Sequence, residues 1–190
     1  MKPTGKALAL AGDFYLGRSY SEMDCQAFAE RCLRDIGINM NLAGSNAWYR
    51  KMTWVGTPEE CRKQFGSVPS GAFLFILEQD GKEPAKYRKD GIGNASHMGI
   101  KTGRTQEQMM RTGLERIAGR YGKDYTGRKV AQYEFRKKVG FGNGAVHSSK
   151  SRGCVATSRF ADRTIRNGGW NRVGLWNMID YGEKINNILK

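Results

Sequence analysis

One stretch, residues 25–36, constrains this chain more than any other, because its apolar residues all fall on one side of a helix. Cys25, Phe28, Ala29, Cys32, Leu33 and Ile36 recur at i, i+3, i+4, i+7, i+8 and i+11, the spacing of a helix with one buried face. Ser21-x-x-Asp24 before it is a capping signal, and Gly37 ends it. Such a helix needs an apolar surface to cover it. Residues 72–77 (Ala-Phe-Leu-Phe-Ile-Leu) form an apolar run of strand length, and 95–100, 144–149, 155–158 and 171–176 also have strand character. The turn Pro69-Ser70-Gly71 opens the first of these strands. Residues 79–94 are polar and glycine-punctuated, a hairpin loop. A short helix or strand is expected in 47–55, a helix start at Thr57-Pro58-Glu59-Glu60, and a short helix or tail over 177–190.

The chain has 190 residues, enough for a single domain over 1–190 with a real core. Its 39% hydrophobic and 11% aromatic content excludes a disordered chain. No apolar run approaches the roughly 20 residues of a membrane helix, so no membrane insertion is expected. The Ala-Leu stretch 7–11 is too short, and Asp13 follows too soon, for a secretory leader. Cys25, Cys32, Cys61 and Cys154 form no C-x-x-C pair, and Cys25 and Cys32 would lie about 10 Å apart on one helix, too far to bridge. Four reduced thiols follow, with Cys32, Cys61 and Cys154 as buried core. With only two histidines there is little to hold zinc, and no metal or cofactor is expected.

Charge is the first functional hint. The formal net charge is +14, which favours a polyanionic partner such as nucleic acid, anionic lipid or an acidic wall polymer. Residues 101–140 carry eleven basic against four acidic side chains, +7 in one segment. No sustained apolar stripe runs through it, although Met109, Met110, Leu114 and Ile117 could anchor one helix. This segment, about 101–142, is read as a basic insertion on the domain surface.

Cys25, His97 and His147 are the residues that could carry covalent chemistry. Cys25 opens a helix, where unpaired N–H groups and the macrodipole should stabilise a thiolate and lower its pKa. His97 and His147 fall in two short strands. A nucleophile, a base and an orienting group are the set that acyl transfer requires.

Four segments resemble the NlpC/P60 family of cell-wall cysteine peptidases, in the family's order. Met23-Asp24-Cys25-Gln26-Ala27-Phe28 resembles the D-C-S-G-[FL] nucleophile motif, and residues 69–75 resemble the P-G-D-L-V-F strand. His97-Met98-Gly99-Ile100 is similar to H-V-G-I, and Val146-His147-Ser148-Ser149 to V-H-A-S. Phe14-Tyr15-Leu16-Gly17 resembles the upstream Y-x-[YW]-G segment. The likeness spans about 12–100 and 143–176. Gln26-Ala27 replaces the family's Ser-Gly, Ala72 its acidic residue, and Phe14 a frequent tyrosine. The two histidines lie 50 residues apart, and the basic insert fills an interval that is a short hairpin in the family. A hairpin can host it cheaply, because closure entropy grows only logarithmically with length.

The resemblance implies an α+β, papain-like NlpC/P60 fold, with the nucleophile helix packed on a central antiparallel sheet. It implies a peptidoglycan hydrolase cutting stem peptides, commonly between D-glutamate and the diamino acid, through a Cys25–His97–His147 triad. Tyr15, Tyr20, Asp24, Ser96 and Ser148 are candidate substrate-binding positions, with Asn94 another residue able to shape the site. The partner would be peptidoglycan in an anionic cell wall, the protein a monomer, and the setting a phage or prophage lysin or tail-associated hydrolase, otherwise a cytoplasmic enzyme. An amidase or acyltransferase on the same fold is an alternative. A basic nucleic-acid-binding protein is another, through the charge and through Tyr121, Tyr125, Tyr133 and Phe135; no known nucleic-acid motif accompanies them. Trp170 and Trp176 are read as core aromatics, against a sugar-binding cleft.

Overall fold

Residues 1–78, 84–88, 90–160 and 169–190 are described by the computed structural model. Thr4 starts the first helix, α1 (Gly5–Phe14), by accepting the Ala7 N–H at 3.2 Å. Asp24 does the same for α2 (Cys25–Asp35), accepting the Ala27 N–H at 2.8 Å. The 47–55 region holds both kinds of element, α3 (Gly44–Lys51) and then β1 (Trp54–Gly56). A reciprocal capping box between Thr57 and Glu60, with Pro58 in the first turn, opens α4 (Pro58–Phe65). Then follow β2 (Phe73–Glu78), α5 (Ala85–Arg88) and β3 (Asn94–Lys101). The expected 79–94 loop thus contains a helical turn, and its residues 79–83 and 89 lie outside the described residues. The helices α6 (Gln106–Tyr121) and α7 (Tyr125–Val139) precede β4 (Gly144–Ser149), β5 (Cys154–Arg159), β6 (Arg172–Leu175) and α8 (Glu183–Asn186).

The described strands form one antiparallel sheet in the order β1-β6-β2-β3-β4-β5. The protein is therefore α+β. Strand alternation splits the apolar residues between the two faces. Phe73, Phe75, Met98, Ile100, Val146 and Val155 meet Phe28, Ala29, Cys32 and Leu33 of α2, with Leu8 of α1 and Trp48 of α3. Leu74, Ala145, Val173 and Leu175 meet Cys61 and Phe65 of α4, with Trp170 and Ile185. Trp170 and Trp176 are both core, Trp176 meeting Trp48 edge-on at 6.0 Å. All four cysteines are free, and all but Cys25 are buried.

The basic segment is a helical hairpin. Met109 and Met110 of α6 are each 1% exposed and join the α2 core. Its base is tied down by Arg104, which donates to Asp13 on α1 at 2.7 Å and to the Gln108 carbonyl at 2.8 Å. The last turn of α7 closes over β5, an edge strand: Arg152 donates to the Lys137 carbonyl, Cys154 to that of Lys138 and Thr157 to that of Val139. Phe135 wedges between helices where only glycine fits. A Cβ on Gly17, already at φ +84°, would come within 2.9 Å of its ring, and one on Gly113 closer still.

Candidate active site

The β3–β4 ladder is short. Its pairs are Ile100↔Val146 and Lys101↔Ala145, whereas β4 and β5 pair over six positions. The two strands therefore part in front of Ile100. The Lys101 N–H bonds to the Ala72 carbonyl at 2.8 Å on the β2 side. By antiparallel alternation the Met98 N–H points the other way, toward β4 and into the split. The Met98 N–H favours the ionised form of the Cys25 thiol. Cys25, at the first position of α2, thus lies near β3 on the face of the sheet that α2 covers.

His97 lies opposite Ile76 and His147 opposite Ala156, so both side chains leave the sheet on the face away from α2. Nε2 of His97 and Nδ1 of His147 are 2.7 Å apart, with the rings 80° to one another. Trp170 seats the pair. Its ring stacks on His97 at 5.4 Å and 23° and meets His147 edge-on at 5.3 Å, while its indole N–H donates to Ser158 Oγ at 2.9 Å. Gly99 leaves the room: a Cβ there would come within 2.9 Å of Trp170 and 3.0 Å of the His147 Cβ. The glycine of His-Met-Gly-Ile was thus a signal readable in the chain, but nothing in the sequence ties it to Trp170.

Burial sets the protonation of these groups. It pushes His97 down to about 4 and His147 down to about 3, the latter helped by His97 and Arg152. The Cys25 thiol moves up, through burial and then the Asp24 carboxylate, against the N–H groups of Met98, Gln26 and Cys25. This corrects the expectation of a thiolate stabilised by the helix terminus. The helix N–H groups act as expected, but desolvation and the capping carboxylate outweigh them. At rest the thiol and both imidazoles are neutral, the thiol on α2 and the imidazoles on the sheet face away from it. No hydrogen bond joins Cys25 to His97 among the described residues; the structure joins the two histidines to each other and not to the thiol.

The other candidate positions divide. Burial, and then the charges of Cys25 and Asp24, raise the phenol pKa of Tyr20. Tyr15 does not join the site: it is buried and its hydroxyl donates to Asp35 at 2.7 Å, at the far end of α2 and about 15 Å along the helix from Cys25. Asp24 is occupied as the α2 cap. The fully buried Ser148 donates to the Met23 carbonyl, tying β4 to the residues just before the nucleophile. Ser96 is exposed one residue before His97 and donates to the Ile76 carbonyl at 3.4 Å. Asn94 bonds to Asn46 at 2.7 Å and to Glu78 at 2.8 Å. Gln26, adjacent to the sulfur, accepts the Gly44 N–H at 2.7 Å and docks α3 beside the site, which serine could not reach to do.

No family model matches this chain, and no curated protein or solved structure does either.

Proposed function

We propose that this protein is a peptidoglycan hydrolase of NlpC/P60 type, a cysteine endopeptidase acting on stem peptides. The observation that carries the reading is the 2.7 Å bond between Nε2 of His97 and Nδ1 of His147, which pairs a base with an orienting group on strands that also adjoin the start of α2 through Ser148 and Met23. With Nε2 occupied, Nδ1 of His97 is the nitrogen left to serve the thiol. In the productive tautomer His97 donates through Nε2 to His147 and keeps its Nδ1 lone pair for the thiol proton. His147, neutral, orients His97 and accepts from the imidazolium that forms.

The chemistry then follows from the neutral resting pair. His97 takes the thiol proton as Sγ attacks the scissile carbonyl carbon, and the oxyanion faces the Cys25 N–H at the helix terminus. Collapse breaks the C–N bond, His97 returns the proton to the leaving amine, and a thioester remains on Cys25. Water, deprotonated by His97, hydrolyses the thioester and restores the thiol. A lysin acting on the bacterial wall is the setting this implies.

Digestion of purified peptidoglycan by the wild-type protein and by Cys25→Ala, with mass spectrometry of the released muropeptides, tests the reading. Fragments ending at D-glutamate, absent with Cys25→Ala, are expected. Free glycan strands with intact stem peptides would make it an amidase with the same nucleophile. Undigested walls of every type would sink the proposal.

A further inference from the structure

The α6–α7 hairpin is far more charged than its anchoring needs. Three of its four carboxylates are already engaged within it. Glu107 pairs with Arg136 at 3.0 Å, Glu115 with Arg111 at 2.8 Å, and Asp124 caps α7 through the Gly127 N–H at 2.9 Å. Arg116, Arg120, Lys123, Arg128, Lys129 and Lys137 have no carboxylate within ion-pair distance among the described residues.

The cations are also ordered. Tyr125, Lys129, Tyr133 and Lys137 follow one another at i+4 along α7, and all four are exposed, the tyrosines 60% each. At 1.5 Å per residue the stripe is about 18 Å long and alternates ring and cation every 6 Å. Lys129 and Arg128 lie over the Tyr125 ring at 5.3 and 5.4 Å. Exposed Val130 and Phe141 flank it. Packing does not account for this face, since Val139 is the one buried residue of α7.

We propose that this outer face of α7 binds an anionic, ring-bearing wall polymer, a sugar-substituted polyol phosphate. Phosphates would lie between the lysines and sugar rings against the tyrosines. The inference rests on the proposed wall-hydrolase reading, which selects a wall polymer over single-stranded nucleic acid, the other polyanion with rings. The stripe is joined to the site through the turn after β4: Arg152, whose charge is felt at His147, donates to the Lys137 carbonyl at 3.3 Å. Polymer held on α7 would therefore keep the His147 end of β4 at the wall.

The test is co-sedimentation of full-length Cys25→Ala protein with Gram-positive walls, before and after hydrofluoric acid strips their phosphate polymers. The comparison proteins carry Lys129→Glu/Lys137→Glu or Tyr125→Ala/Tyr133→Ala, with circular dichroism melting as the check on folding. Stripping, and the double lysine change, should each weaken binding about tenfold, the scale of two lost phosphate contacts, and raised salt should narrow the gap. Equal sedimentation of stripped and intact walls, or of the stripe variants and their parent, overturns the proposal. Preferential displacement from walls by single-stranded DNA at equal phosphate overturns it in favour of nucleic acid. Because the readout is binding by a protein without its nucleophile, it is independent of hydrolysis. Muropeptide release by a protein with unchanged wall binding in the stripe variants would sink this surface alone. Polymer-dependent binding without muropeptide release would sink the hydrolase alone.

Discussion

Along β3 and β4, residues of both sheet faces are packed: Met98, Ile100 and Val146 against α2, His97 and His147 against Trp170. Along α7, which leads into β4, Val139 is the one buried residue and a tyrosine–lysine stripe faces solvent. In the first region, position is dictated by everything touching it, so a single atom added at Gly99 meets both Trp170 and His147. In the second, position is dictated by Phe135 against Gly113 and Gly17 and, at the base, by Arg104 on Asp13 and by the last turn on β5. One region is built to hold a geometry, the other to present a surface. Contact density on one side, and uncompensated charge on the other, tell them apart.

The sharpest break in that comparison is catalytic. His97→Ala should lower stem-peptide cleavage about 10⁴-fold, as loss of a triad base does, while a change at the exposed Thr126 of α7, Thr126→Ala, leaves it within about twofold; muropeptide release rates measure both. Equal losses would erase the distinction. Next is stability. Trp170→Ala should cost about 3–5 kcal/mol by denaturant unfolding, the range for deleting a buried tryptophan, and Gly99→Ala about 1–3 kcal/mol through overpacking. Gly99→Ala should also disturb the histidine pair, visible as changed imidazole resonances.

The third expectation is acid sensitivity. The histidines bind protons near 6.5 when unfolded but only near 4 and 3 when folded. Their contribution to stability is complete above pH 6.5 and is lost as pH falls through that window. Asp13 opposes them, since burial raises its carboxyl to about 7 in spite of Arg104, so its contribution is present below the ordinary carboxylate pKa and lost as pH rises through 7. Two histidines outweigh one carboxylate, and the melting temperature should fall between pH 6.5 and 4. Replacing His147 by Gln should flatten that slope, and an unchanged slope would show that the pair is not desolvated. The smallest effect belongs to the stripe: Tyr133→Ala should change unfolding free energy by no more than about 0.5 kcal/mol, and a larger cost would mean that α7 is packed after all.

Much of the architecture was legible because its signals are local. The period of 25–36, the Thr57–Glu60 cap and the apolar run before Glu78 each report on neighbours within a turn or a pleat, and each became its element. The α1 helix is not legible in this way, because residues 7–11 are continuously apolar and carry no helical period. The α6–α7 hairpin lacked a long stripe because it buries one end and not one side. Within the site, Cys25, His97 and His147 were legible as residue types at element positions. Tyr15 was misplaced, since the end of α2 its hydroxyl meets depends on how α1 crosses α2.

By itself the sequence determined where the strands and the capped helices α2 and α4 form, which face of α2 is apolar, and that 101–140 carries surplus positive charge. These depend on spacing, capping and composition, which are properties of short stretches of chain. Only the tertiary structure decided that β3 and β4 part before Ile100, that His97 and His147 meet across 50 residues, and that Trp170 seats them. It also reversed the expected ionisation of Cys25. Desolvation is summed over every group packed around an atom, and a linear chain does not say which groups those will be.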